Sequence, residues 1–338
     1  MLDIFNNNAF GVVSLTDAIN RPLFAPGRLG QMGLFAEKGV TTTTIVLEEK
    51  DGNLLLIPPT PRGGPGNTLG KNKATARPFV VPHFEINDAI YADEVQGVRA
   101  WGTESQLQTV MGQIADRIGI HRPSHEVTLE YQRIGAVIGL ITYADGTTLD
   151  LFSAFGISQD SEIDFNLDAA SPVSGELRKA CAAVIRQVSN NLGGIPFSGL
   201  HALCGDAFFD ALLAHPEVRA TFLNNPAAAE LRKAYVMNGM SFGSFEFGGI
   251  IWENYRGAVG GTSFINTNKC HIFPLGVPNL FRTYFAPADY VETVNTVGQR
   301  MYLKQYLMDN DKGVNLDSQC NALSLCTRPK ALVKGKLT

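Results

Sequence analysis

No stretch of the 338 residues approaches the ~18 to 20 consecutive apolar residues that a membrane-spanning helix needs. The opening MLDIFNNNAF also lacks a basic start followed by a long apolar run, so neither a membrane span nor export by a secretory signal is expected. A basic surplus is missing too. The 28 Lys and Arg against 32 Asp and Glu give a formal charge of -4 and a pI near 5.9. That balance excludes a global attraction to nucleic acid and leaves only local or weak DNA contact. The five cysteines, Cys181, Cys204, Cys270, Cys320 and Cys326, are odd in number and scattered. They make no disulfide framework and fit a reducing compartment such as the cytoplasm. No internal repeat is visible. What remains is a composition 45% hydrophobic and 18% charged, enough to bury a real core in one large domain or two.

The chain is organised around Thr128 to Ile157, TLEYQRIGAVIGLITYADGTTLDLFSAFGI. Apolar Val127, Tyr131, Ile134, Ile138 and Ile141 recur at helical spacing, with Ser124 placed to cap the start and Gly135 and Gly139 offering close approach near the end. The pattern runs without a linker into YADGT. There Asp145-Gly146, between two apolar runs, predicts a hairpin whose two central turn residues both take positive φ. Upstream, Thr103 with Gln106 forms a capping-box pattern, and Leu107, Val110, Met111, Ile114 and Ile118 share a face. Thr103 to Gly139 therefore reads as a long helical region, kinked or broken near His121 to Pro123. His121 and His125 are four apart across that break. With Pro123 between them and no third ligand evident, they read as solvated polar residues and not as a metal pair.

Residues 1 to 38 are irregular and rich in Gly, Pro and Asn, with Ser14 to Ile19 at most a short helix and PGRLGQMG a loop. Val40 to Leu47 is β-branched, Asp51-Gly52 supplies a turn, and Leu54 to Ile57 is a second apolar run, which makes a strand pair the simple reading. Pro58 to Ala76 then holds four Pro and four Gly, and no acidic residue stands between Asp51 and Glu85, whereas Arg62, Lys71, Lys73 and Arg77 do. Extended character returns at Phe79 to Ile86. Two extended limbs joined by a long basic tip cannot bury enough apolar surface alone, so the tip is either a disordered loop or an arm ordered on an acidic neighbouring surface. A phosphate-binding reading of the Gly70-Lys71 stretch fails. Pro65 stands where the first glycine belongs and Asn72 where the Ser or Thr belongs.

Beyond Ile157, Ile163 to Leu167 alternates as a strand, and Ser171-Pro172 opens a helix carrying Leu177, Cys181, Val184 and Val188 to a Gly193-Gly194 stop. Phe197 to Leu203 is strand-like, and Asp206 to His215 is a short helix ended by Pro216. His201 and Cys204 invite a thiol-hydrolase reading, but no orienting residue accompanies them, and a core His201 with a surface Cys204 is the simpler expectation. Cys181, Cys320 and Cys326 read as packing residues. SFGSFEFGGIIWENYRG has the aromatic and glycine alternation of a twisted sheet with bulges. Gly239-Met240-Ser241-Phe242-Gly243 matches the nucleophile-elbow pattern, yet β alternation follows where a helix is required, and His271 is the only downstream base.

Helix, glycine, Asp-Gly hairpin and LFSAFGI in that order resemble the middle of the lambda-type major capsid proteins of tailed phages, the capsid protein E family. GVPNLFRTYFAPADYVETVNTVG, Gly276 to Gly298, followed by QRMYLKQYLMDNDKGVNLDSQCNALSLCTRPKALVKG, resembles the end of the same family. The resemblance implies an α+β fold of the Hong Kong 97 phage capsid type. Its parts would be an N-terminal arm over 1–39, an extended E-loop with flanking strands over 40–101, and a peripheral domain with spine helix and hairpin over 102–192. A mainly axial domain over 193–320 and a C-terminal segment over 321–338 would complete it. The same resemblance implies a structural, non-enzymatic subunit without cofactor or metal, assembling as hexamers and pentamers into an icosahedral head around double-stranded DNA. A separate scaffolding protein, a portal and a decoration protein are partners it suggests. Host cytoplasm is the expected location before assembly and the virion capsid after it. Arg62, Lys71, Lys73 and Arg77 are the expected intersubunit contacts. A bacterial nanocompartment shell and a hydrolase using Ser241 or Cys204 are the alternatives.

Overall fold

The computed structural model describes residues 27–50, 74–96, 110–223, 241–259 and 262–338. Its largest sheet has six strands in the order β7-β18-β13-β8-β10-β9, made by β7 (Ile163–Asp164), β8 (Gly199–Cys204), β9 (Ser241–Phe247), β10 (Ile250–Tyr255), β13 (Lys269–Leu275) and β18 (Val333–Lys336). Helix α5 (Glu176–Leu192) packs its apolar stripe into the core of that sheet, and α6 (Asp206–Ala214) and α7 (Pro216–Leu223) add Phe208, Phe209, Leu212 and Val218. α5 ends as expected, on Gly193 at φ 65°, where a residue without Cβ takes the left-handed turn cheaply. β9 and β10 form a tight hairpin on Gly248 and Gly249, both at positive φ, with a bulge between Glu253 and Tyr255.

The other half is built on α3 (Val110–Ile138), 29 residues long. It lies against two three-stranded sheets. One is β1-β14-β17, from β1 (Ala36–Gly39), β14 (Phe281–Phe285) and β17 (Ala322–Cys326); the other is β15-β16-β4, from β4 (Phe84–Tyr91), β15 (Tyr302–Leu307) and β16 (Gly313–Cys320). Chain from about 276 to 327 thus returns to the long helix, while β18 goes back to the six-stranded sheet.

Four local expectations are corrected. The helix does not break at Pro123. Pro123 lies on the exposed face, where the carbonyl of Gly119, deprived of its usual N–H partner, is open to water. Ser124 accordingly caps nothing; its hydroxyl donates back to the carbonyl of Ile120 at 3.0 Å. The hairpin between β5 (Leu140–Thr142) and β6 (Thr148–Asp150) forms, but on a three-residue loop. Tyr143 N–H donates to Thr147 O at 2.9 Å, and of Asp145 and Gly146 only Gly146, at φ 84°, is left-handed. Asp145 serves the turn by accepting from Thr147 N at 2.9 Å. Arg28–Gln31, expected as loop, is a helical turn, α1, because a carboxylate from α3 caps it. The two extended limbs do pair, β2 (Thr44–Lys50) antiparallel with β3 (Ala74–Val80), while the expected second strand at 54–57 lies outside the described residues.

Candidate assembly surface

β2 and β3 form a two-stranded ribbon that pairs with no third strand among the described residues. Such a ribbon is marginal alone and needs an apolar foothold. Ile45 and Phe79 provide it, buried on one face, while Val46 and Val80 on the other stand exposed. Phe79 packs 5.6 Å from Phe155, which follows the short helix α4 (Leu151–Ala154). Arg77 strengthens the same foot: its Nη1 donates to Ala154 O at 2.9 Å and its guanidinium lies 5.9 Å from the Phe155 ring centre. Of the four expected contact residues, Arg77 is therefore bonded within its own chain at the ribbon's base. Arg62, Lys71 and Lys73 lie outside the described residues, as does the Gly66 to Lys71 stretch.

The seam between α3 and the sheets is polar. His121 and His125, expected in solvent, are both buried, because an unbroken helix places residues four apart on the same inward face. Ser318 of β16 sits between them, its hydroxyl 3.1 Å from His121 Nδ1 and 3.0 Å from His125 Nε2. His121 Nε2 faces Asp88 of β4 at 3.4 Å, and Arg117 pairs with the same carboxylate oxygen at 3.2 Å. The carboxylate fixes the proton on His121 Nε2, so Ser318 donates to Nδ1 and accepts from His125. Burial drives both imidazoles toward the neutral form, that of His125 to a pKa of about 4. Two turns further, Gln132 clasps β17 by its backbone, donating to Ala322 O and accepting from Ser324 N, each at 2.8 Å. Glu37 of β1 receives Arg133 at 2.6 Å and Arg300 at 2.9 Å, and Arg300 also chelates Glu126.

Two buried carboxylates then tie the halves together through α1. Glu130 of α3 accepts from Leu29 N at 2.9 Å, Gly30 N at 3.3 Å and the Tyr255 hydroxyl at 3.3 Å. Glu253 of β10 accepts both prongs of Arg28, at 2.7 and 3.1 Å, and His201 Nε2 at 3.0 Å. Although burial opposes its charge, the His201 and Arg28 bonds hold Glu253 down at a pKa of about 2. The polar residues at 121, 125 and 132 recur at helical spacing, the one sequence signal that α3 has a polar buried face.

The hydrolase alternatives find no site. His201 and Cys204 are both buried, since β8 is covered on both faces, and burial pushes the Cys204 thiol well above its ordinary pKa. Ser241 opens a strand that continues to Phe247, so the strand-to-helix turn of an elbow is missing. His271 lies on β13, with β8 and β10 between it and β9, roughly 14 Å away at ~4.8 Å per strand. Burial also lowers its pKa to about 3.

A sequence profile described as phage major capsid protein E matches residues 11–337. The chain belongs to that family. The capsid protein is 26% identical to the major capsid protein of Pseudomonas phage KPP10, with 92% of each chain covered. It is 25% identical to that of Salmonella phage Felix O1, with 98% of each covered. In fold it is similar to the protein assigned as the capsid protein of a prophage of E. coli CFT073, with a TM-score of 0.58, 13% identity and coverage of 97% of this chain and 99% of the other. It is a structural shell protein with the α+β capsid fold, not an enzyme.

Proposed function

We propose that copies of this capsid protein assemble as hexamers and pentamers into an icosahedral head around double-stranded DNA. The family match over residues 11–337 carries this reading. The β2–β3 ribbon is the base of its E-loop, footed on the chain's own α4 region. Arg62, Lys71 and Lys73 meet an acidic surface of the adjacent subunit, and Arg77 at the base sets the angle at which they are delivered. Of residues 1–39, the part before α1 acts as an arm over a neighbour, because α1 and β1 are held in the chain's own core by Glu130 and β14. Many modest interfaces of this kind add up through multivalency. A net charge of -4 suits weak, non-specific contact with packaged DNA. A separate scaffolding protein, a portal and a decoration protein complete the assembly, which starts in the host cytoplasm.

Light scattering with negative-stain microscopy tests the reading, on the chain alone and beside its genomic neighbours. Closed shells or rings tens of nanometres across are expected, and a monomer in both preparations would end the proposal. Reversing two charges, Arg62→Glu with Lys71→Glu, should leave the subunit folded and weaken or block assembly; wild-type shells should also loosen at raised salt.

A further inference from the structure

Between β14 and β15 the chain forms a tip whose valines 291, 294 and 297, three residues apart, are 89%, 63% and 61% exposed. The turns presenting them are fixed from within. Thr293 N–H donates to Tyr290 O at 3.0 Å, Thr296 N–H to Thr293 O at 3.1 Å, and the buried Thr293 hydroxyl to Ala288 O at 2.6 Å. At the foot, Gly298 N–H donates to Val40 O at 2.8 Å and Gln299 N–H to the Tyr302 hydroxyl at 2.8 Å. A tip already ordered in the subunit loses little freedom on binding, and β-branched valines lose least among large apolar side chains. Nothing among the described residues covers them.

Charge decides what can. From Tyr290 to Gln299 the only ionised side chain is Glu292, and Lys304 pairs with it at 3.0 Å while lying 5.1 Å from the Tyr290 ring centre. A locally neutral, apolar surface can be brought against its own copy by a rotation axis without like-charge repulsion. The stretch between Asp51 and Glu85, with its cations and no acid, would repel its own copy and needs a different surface. Resting on the shell reading above, we propose that the Val291–Val294–Val297 tip is a contact between copies of this chain in which the valines of one copy meet the same valines of another.

Val294→Cys tests it directly. All five native cysteines are buried, so the introduced thiol is the exposed one. Diamide oxidises two thiols to a disulfide and takes up their two electrons and two protons. In assembled shells most of the chain should then run as a covalent dimer on a non-reducing denaturing gel, with monomer only from unassembled subunits at equal concentration. An introduced thiol that stays unlinked in shells and reacts freely with a maleimide would overturn the contact. Failure of the wild-type chain to assemble would instead count against the shell reading. Should Val294→Cys not assemble, Val294→Asp and Val294→Lys decide. Each alone should lower shell yield by about tenfold while the subunit keeps its wild-type circular dichroism, and co-expression of the two should restore yield. Wild-type yield from each, or no rescue by the mixture, would overturn the proposal.

Discussion

The two longest helices meet their sheets by opposite means. α5 offers Leu177, Cys181, Val184, Val188 and Leu192, all apolar. α3 buries His121, His125, Glu126, Glu130, Gln132 and Arg133 alongside Leu129, Ile134 and Val137. Apolar contact is non-directional and indifferent to small slides. Each polar bond in the α3 seam is satisfied at one register only, and a buried donor or acceptor left alone costs about 1–3 kcal/mol. The α5 seam therefore supplies cohesion, whereas the α3 seam also fixes where β1, β4, β16, β17 and α1 stand relative to one another. A shell subunit repeats its interfaces many times, so register in the element that aligns them matters more than in the element that fills a core.

The comparison breaks if polar deletion in α3 proves cheap. Glu130→Ala leaves Leu29 N–H, Gly30 N–H and the Tyr255 hydroxyl without their acceptor. A loss on the order of 3–5 kcal/mol is expected in urea unfolding of the unassembled subunit, against about 2 kcal/mol for Val184→Ala on α5. Glu130→Gln, which keeps one acceptor, should recover part of the loss. Equal costs for Glu130→Ala and Val184→Ala would remove the distinction.

The two faces of β16 sharpen it through pH. Ser318 faces α3 and the histidines, and Asp317 faces the other way, where burial, with added repulsion from Glu85 and Asp289, raises its pKa to about 6. His125 is lowered by burial and by His121 to about 4. Between pH 6.5 and 4 the unfolded chain holds the proton on His125 more tightly, so stability falls as pH falls through that window. Between pH 3.8 and 6 the folded chain holds the proton on Asp317 more tightly, so stability falls as pH rises through that window. The His125 limb, for a shift from 6.5 to about 4, is on the order of 3 kcal/mol. His125→Gln, which can still donate to Ser318, should flatten the acid limb, and Asp317→Asn the opposite one, in unfolding free energies measured from pH 4 to 7. Unchanged slopes would mean that neither group titrates as its burial dictates.

What the sequence made legible follows the same division. The apolar stripe of α5 and its glycine stop could be read directly, since period and cap are local. The long helix was legible in its second half, where Ile134 and Ile138 keep the period, but its first half was misjudged at Pro123. A proline's cost depends on whether the carbonyl it deprives is buried, and that is a tertiary fact. The acceptors of α1, Glu130 and Glu253, lie about 100 and 225 residues from their donors, beyond any local pattern. Asp145-Gly146 gave the hairpin but not its loop length, which pairing of Tyr143 with Thr147 decides. If Pro123 is tolerated only because Gly119 O is open to water, Pro123→Ala should stabilise the subunit by about 2 kcal/mol, the regained bond being partly offset by a freer unfolded chain. A loss of stability would mean that the proline is itself holding α3 in place.

The smallest contrast lies where the two helices end. Both stop on a left-handed glycine, Gly193 at φ 65° after α5 and Gly139 at φ 90° after α3. A Cβ added at Gly193 meets nothing, so Gly193→Ala should cost only the conformational term, about 1 kcal/mol. A Cβ at Gly139 runs into the ring of Phe152, because Leu151 N–H donates to Gly139 O at 3.0 Å and folds the hairpin straight back over the helix end. Gly139→Ala should add roughly 1–3 kcal/mol of overpacking to the conformational cost. Measured side by side, equal losses would show that Phe152 can swing away and that the hairpin is hinged on α3. The expected excess at Gly139 makes helix and hairpin one rigid piece, so the register fixed along the polar seam reaches the α4 region on which the β2–β3 ribbon stands.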